Sequence, residues 1–342
     1  MTRPTPPLSV PEEQVGRFAE GLTRLWPQAG AARDSGAWRL GLAVSGGPDS
    51  LALLLLASAA FPGRVHAASV DHGLRAESAD ECDFVGRICA ELGVPHATLR
   101  VTVANGNLQG EARMARYAAL AGWAAAAGLE ALATAHHADD QAETLLARLN
   151  RASGVAGLAG VRKTGRVPGA QLPLIRPLLD WRRGELAEVI AAAGLTAVDD
   201  PSNRDPRFDR VRLRAALAKA DWLDVPAIAE SARHIAEADA ALDWATAREW
   251  EECVKPGPLG SYVYRAQAPR AIALRVIGLL VARLDGEPPR GSAVARVFDS
   301  LVAGQPVSIG ALVARPGPDG WSFAKAPLRS AVRRDGPAAS TA

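Results

Sequence analysis

Residues 40–61 read LGLAVSGGPDSLALLLLASAAF, and the order of residue types in this stretch decides the fold. Leu40–Val44 is a short apolar run that ends in a Gly46-Gly47 turn, and Ser50–Ala60 is a helical stretch. The alternation continues outward. Val65–Val70 reads as a second strand ending at Asp71-His72-Gly73, with its helix over Ser78–Leu92. Ala97–Val103 is a third, followed by a helix at Glu111–Ala127. Glu130–Ala135 is a fourth, ending at His136-His137, with a helix from about Asp139 to Asn150. Strands alternating with helices of this length predict βαβ units and a parallel sheet covered by helices on both faces, an α/β fold. Three polar clusters, Ser45–Ser50, Asp71–Arg75 and His136–Glu143, directly follow strands. In an open α/β sheet such carboxyl ends line one crevice, so these residues are expected to be neighbours.

The first cluster is Ser45-Gly46-Gly47-Pro48-Asp49-Ser50. Glycines let backbone N–H groups approach an anion, and the helix N-terminus adds partial positive charge. No lysine follows, so this is not the GxxxxGK[ST] loop. The serine hydroxyls add donors for phosphate oxygens, and Asp49 is placed to hold a magnesium ion bridging phosphates. Asp139, Asp140 and Glu143 open a helix at spacings that share a face, with Leu145, Leu146 and Leu149 on the other. Acidic residues in a first turn also answer the helix dipole alone. Three of them, preceded by His136 and His137, suit a cation or magnesium. Asp71 and His72 are candidates for a nucleotide or substrate contact, with a structural turn as the alternative. Arg113 and Arg116 are candidates for phosphate, with a solvated basic face as theirs.

Arg204, Arg207, Arg210, Arg212, Arg214 and Lys219 crowd sixteen residues around Phe208, in a chain of formal net charge only +2. Such clusters suit phosphate through bidentate contacts, whether of ATP or of an RNA backbone. Pairing with Asp205 and Asp209 is the structural alternative. The 342 residues, 48% hydrophobic, suffice for two domains. The expected division is a catalytic domain over 1–215 and a smaller, mainly helical domain over 216–342 with a disordered tail. Thr164–Gly169 is expected to be a surface loop, Arg183–Ala193 a helix capped by Gly194, and Ala227–Glu252 a long helix broken by Pro256-Gly257-Pro258. Cys82, Cys89 and Cys253 form no CxxC pair, which argues against disulfide, zinc and iron–sulfur scaffolds. The first residues lack the apolar core of a signal peptide, and the longest apolar run is too short for a membrane span, so a cytoplasmic location is expected.

The SGGPDS loop resembles the pyrophosphate-binding loop of the N-type ATP pyrophosphatases. VDHGLRAES (70–78), Asn107-Leu108 with EARMARY (to 117), AHHADDQAETLLARLNRASGVAGLAG (135–160), RPLLDWRRGEL (176–186) and DDPSNRDPRFDRVRLR (199–214) are similar to the tRNA(Ile)-lysidine synthetases within that family. The resemblance covers about residues 40–215. It implies a loop that holds ATP through Ser45, Gly46, Gly47, Pro48, Asp49 and Ser50, beside which Asp71, His72 and His136 are the candidate nucleotide contacts. It further implies that Arg113 contacts phosphate and that Asp140 and Glu143, beside Asp139, take the amine of lysine. Arg207, Arg210 and Arg212 would line the reaction centre. The implied partners are ATP with magnesium, L-lysine and a tRNA(Ile) with anticodon CAU, contacted in part by the C-terminal domain. Longer members of that group carry a further C-terminal domain than this chain shows. A tRNA thiolase is the nearest rival, and a non-enzymatic nucleotide-sensing module of the same α/β class a more distant one.

Overall fold

A computed structural model describes residues 8–31, 38–73, 77–101, 108–198 and 209–326. The chain divides into two compact units, Met1–Ala236 and Glu237–Ala342. The first opens with α1 (Glu12–Leu25) and α2 (Gln28–Ala31). It then alternates through β1 (Leu40–Ala43), α3 (Pro48–Ala60), β2 (Val65–Asp71), α4 (Glu77–Leu92), β3 (His96–Arg100), α5 (Leu108–Ala126), β4 (Ala131–Ala133) and α6 (Ala138–Leu149). After α7 (Val155–Leu158) come β5 (Thr164–Arg166), β6 (Pro173–Ile175), α8 (Arg183–Ala192), α9 (Asp209–Lys219) and the start of α10 (Val225–Cys253).

The strands form one sheet in the order β3-β2-β1-β4-β6-β5, parallel except for β5, which runs antiparallel to β6. The stretch 164–169, expected as a loop, therefore contains a short exposed edge strand. Alternation along each strand builds two cores. Leu40 and Leu42 of β1, with Ala131 and Ala133 of β4, face one core with α1, α3, α4 and α8. Leu132 of β4 and Ala68 of β2 face the other, under Tyr117 and Leu120 of α5. α3 is buried nearly all round. Leu51, Leu53, Leu54, Leu55 and Leu56 are 0–1% exposed, each contributing about 1.5–3 kcal/mol by burial. The loop before α3 is thus anchored to a helix packed on nearly all sides.

The strand order reverses between β2-β1 and β4-β6, and this switch point puts the carboxyl ends of β1 and β4 side by side. Among the described residues no helix is long and apolar enough to cross a membrane.

The second unit holds the helices expected of it, the end of α10 with α11 (Arg270–Asp285) and α12 (Gly291–Val302). It also holds a five-stranded antiparallel sheet, more strand than a mainly helical domain was expected to carry. This sheet is formed by β7 (Val254–Pro256), β8 (Tyr262–Tyr264), β9 (Val307–Ile309), β10 (Leu312–Gly317) and β11 (Gly320–Lys325), in the order β7-β8-β11-β10-β9. Its boundary also differs from the expected 215/216. α9 belongs with the first unit because its arginines pair with carboxylates of α6.

Candidate active site

Ser45 to Ser50 turn sharply from β1 into α3. Gly46 has φ +83°, a conformation that L side chains rarely adopt. Pro48 takes the first helical position, where its missing N–H costs nothing. Ser50 closes the turn: its Oγ accepts from Ser45 N at 3.1 Å and donates to Gly47 O at 2.9 Å. The first N–H groups of α3 have no intrahelical acceptor and point out of the helix end.

This loop forms one wall of a cavity of about 530 Å³, lined also by Ser69 and Val70 at the end of β2 and His72 just after it, Arg113 and Arg116 of α5, His136 and Asp140 after β4, and Arg210 of α9. The clusters that follow three strands are brought together. Asp71 is not in the lining. Its Oδ1 accepts Gly73 N at 2.9 Å, which holds its carboxyl below the usual range, so it closes a turn while His72 faces the cavity. Three buried atoms around the cavity have no hydrogen-bond partner among the described residues: Asp49 Oδ1, His72 Nδ1 and Arg116 Nε. Most buried polar atoms in folded proteins are paired, so unpartnered ones beside a cavity call for an explanation, and a polar ligand in that cavity is one. Asp49, whose carboxylate is partly exposed and which lines the cavity beside the loop, fits a magnesium ion whose other ligands are phosphates and water.

His136 donates to or accepts from Thr134 Oγ1 at 2.9 Å through Nδ1. Burial pushes its pKa to about 4; Asp140 opposes the fall and Arg176, Arg210 and Arg113 add to it. It is a neutral hydrogen-bonding group near pH 7. Arg113 lies 5.0 Å from the centre of the Tyr117 ring.

α6 buries its polar side. Ala138, Asp140, Gln141, Ala142, Glu143 and Leu145 are covered, while Leu149 on the other face is 52% exposed. The three acidic residues have different partners. Asp139 accepts two bonds from Arg182, at 3.2 and 3.1 Å, and one from Arg183 N at 2.9 Å. Burial would raise its carboxyl, but these donors and His137 hold it well below the usual range. Asp139 therefore caps the start of α8. Asp140 and Glu143 face α9: Arg210 donates from Nη2 to Asp140 at 2.9 Å and from Nε to Glu143 at 3.0 Å, and Arg214 Nε donates to Glu143 at 2.8 Å.

Residues 210 and 214 stand one helical turn apart and share the inward face of α9. Arg212 points elsewhere and pairs with Asp209 in solvent, the alternative that the spacing left open. Arg207 lies outside the described residues, as do Arg75, Arg204, Asp205 and Phe208. Sequence reasoning missed Arg182, the buried Arg176 just after β6, and His137, whose fully buried ring sits among Asp49, Asp139 and Asp140. A strand end is the signal that flags Arg176 and His137.

The PP-loop domain family matches residues 22–221. Over 298 residues the chain is 46% identical to a protein of Novosphingobium aromaticivorans named tRNA(Ile)-lysidine synthase, covering 86% of this chain and 91% of that one. A Zymomonas mobilis protein of the same name is 42% identical, with 85% and 89% covered. Among solved structures, the U34-tRNA thiolase NcsA from Methanococcus maripaludis, which carries a [4Fe-4S] cluster, is similar in fold. Its TM-score is 0.52 at 17% identity, over 66% of this chain and 77% of that one.

Proposed function

This chain belongs to the PP-loop family and, within it, to the tRNA(Ile)-lysidine synthases; on that premise we propose how its residues divide the work. The chain is an ATP-using ligase that modifies tRNA. In the proposed reaction, O2 of the wobble cytidine in a tRNA(Ile) with anticodon CAU attacks the α-phosphorus of ATP, and pyrophosphate leaves. The amine of lysine then attacks C2 of that base, and AMP departs with the oxygen, giving lysidine. The observation that carries the assignment is the cavity in which the phosphate loop faces the Asp140–Arg210 pair. Leaving group and incoming amine would meet there, with cytoplasmic tRNA entering beside them.

The loop, Asp49, Arg113 and Arg116 hold the phosphates. Asp49 would hold a magnesium ion, which would offset the charge of the departing pyrophosphate. Asp140 and Glu143 take the lysine ammonium. Arg210 bridges both carboxylates at present, and Arg214 also holds Glu143; lysine takes the place of the Arg210 guanidinium, which turns toward phosphate. Lysine must lose a proton to attack, and at pH 7 freeing an amine of pKa near 10.4 costs roughly 4–5 kcal/mol. A carboxylate already against the ammonium is placed to receive that proton during attack. The second unit and the exposed arginines of α9 contact the tRNA.

The thiolase reading shares the fold, but the three cysteines of this chain, Cys82, Cys89 and Cys253, include no CxxC pair. The test is a product assay with the purified protein, magnesium ATP, labelled lysine and bulk tRNA. The expected result is AMP and pyrophosphate, with one lysine joined to tRNA per AMP and none when the CAU cytidine is replaced. ADP as product overturns the loop assignment. AMP without label in tRNA moves the chain to a sister activity.

A further inference from the structure

His137 has no part in the chemistry above, yet it lies between its two halves. It follows β4, immediately before α6, and its side chain is 0% exposed. Nε2 is 3.4 Å from Asp49 Oδ2 and 3.7 Å from Asp140 Oδ2, while Nδ1 is 3.6 Å from Asp139 Oδ2. These are ion-pair separations, longer than directed hydrogen bonds. Three carboxylates from two elements thus converge on one imidazole. Buried like charges at such range need a counter-charge.

The two oxygens of Asp49 have different surroundings. Oδ2 faces His137, whereas Oδ1 is buried and has no partner among the described residues, on a residue that lines the cavity. A carboxylate free to rotate would exchange its two oxygens. On the opposite side of the ring, Asp139 is fixed by Arg182 and by Arg183 N. The imidazole is rigid, and its two nitrogens point in divergent directions.

We propose that His137 is a positioning residue that ties the phosphate loop to the carboxylate helix: Nε2 holds the Asp49 carboxylate in one rotation beside the phosphate loop, while Nδ1 braces against the immobilised Asp139. Histidine suits this task because a lysine offers one charged end and no second, opposed contact. The inference rests on the reading of Asp49 as a group that serves the ATP phosphates and their magnesium.

Amide substitutions separate the two nitrogens. The asparagine amide falls near the place of Nδ1, and that of glutamine near Nε2. Binding of magnesium with a non-hydrolysable ATP analogue, and of lysine, is measured by calorimetry on the full chain, alongside KM and kcat for AMP formation. Without a group to hold Asp49, His137→Asn should weaken analogue binding and raise KM for ATP about tenfold or more, with lysine binding little changed. His137→Gln should keep analogue binding near that of the parent. Equal loss in both variants, or parent-like binding in both, overturns the inference. Should the asparagine variant fail to fold, a folded glutamine variant decides: retained binding supports the role and lost binding overturns it. Asp49→Asn separates the premise from the inference. If it binds the analogue normally, the assignment of Asp49 fails. If it loses binding while His137→Asn does not, the positioning role alone fails.

Discussion

At the scale of single residues the site is a set of charges held where water would not leave them. Asp49 illustrates this. Burial raises the cost of its charge, but the contact with His137 and the charges of His137, Arg183 and Arg214 outweigh it, so its carboxyl stays below the usual range and ionised. Asp49→Asn preserves size and removes that charge. AMP formation is expected to fall by orders of magnitude while the circular dichroism spectrum and thermal midpoint stay close to those of the parent. Normal turnover would remove Asp49 from the phosphate site. His137 carries the opposite charge. Burial pulls its pKa down, yet Asp139, Asp49 and Asp140 raise it from 6.5 to about 9. A histidine raised in this way contributes stability that is complete below pH 6.5 and is lost as pH rises through 9. The contribution is about 3 kcal/mol in all. His136, lowered by burial to about 4, acts the other way and only below pH 6.5. In metal-free buffer the thermal midpoint should therefore fall between pH 7 and 9, and His137→Gln should flatten that fall.

At the scale of elements, α6 and α9 depart from the usual apolar-inside pattern because they meet through charged side chains. Arg210 and Arg214 face Glu143, and Arg212 faces solvent. Arg210→Ala should lower kcat about tenfold through the loss of charge-assisted bonds. KM for lysine should fall rather than rise, since the competing guanidinium is gone; a raised KM would mean that lysine does not exchange with Arg210. Arg212→Ala should leave kcat at saturating tRNA within about twofold, because an exposed ion pair contributes at most about 1 kcal/mol. The far side of α6 is fastened by Gln141, which donates to Val161 O at 2.8 Å and accepts from Val161 N at 2.6 Å. Gly160 permits this. Its φ is +63°, and a Cβ there would lie 2.6 Å from Gln141 Oε1. Gly160→Ala should cost about 2–3 kcal/mol, read as a drop in thermal midpoint. Gly165→Ala on β5, where a Cβ meets nothing within 4 Å, is the matched control.

At the scale of the whole molecule, a formal net charge of +2 cannot by itself draw in a polyanion. Local clusters are the alternative, and on α9 Arg212 is the arginine on the exposed side, paired with Asp209. Replacing Arg207 and Arg212 together by Ala should weaken tRNA binding. The slope of log affinity against log salt should flatten by about 0.7 for each phosphate that is no longer neutralised. An unchanged slope would assign these arginines to the reacting centre instead.

The parallel sheet, the phosphate loop and the acidic start of α6 are legible in the chain. Apolar runs of period two, glycines at a strand end and carboxylates in a first helical turn are all local signals. The second unit's sheet is less so, since β7, β8 and β9 span three residues each, too few to show alternation. The Pro318-Asp319-Gly320 turn between β10 and β11 is a local hairpin signal that sequence reasoning missed. Which arginine meets which carboxylate is not readable at all. Spacing places Arg210 and Arg214 on one face of α9, but only the packing of α9 against α6 turns that face inward. Only the adjacency of the β1 and β4 ends sets His137 against Asp49. Local pattern determines which residues share an element and a face; long-range pairing of elements decides which charges meet, because a Coulomb contact depends on distance in space and carries no trace of separation along the chain.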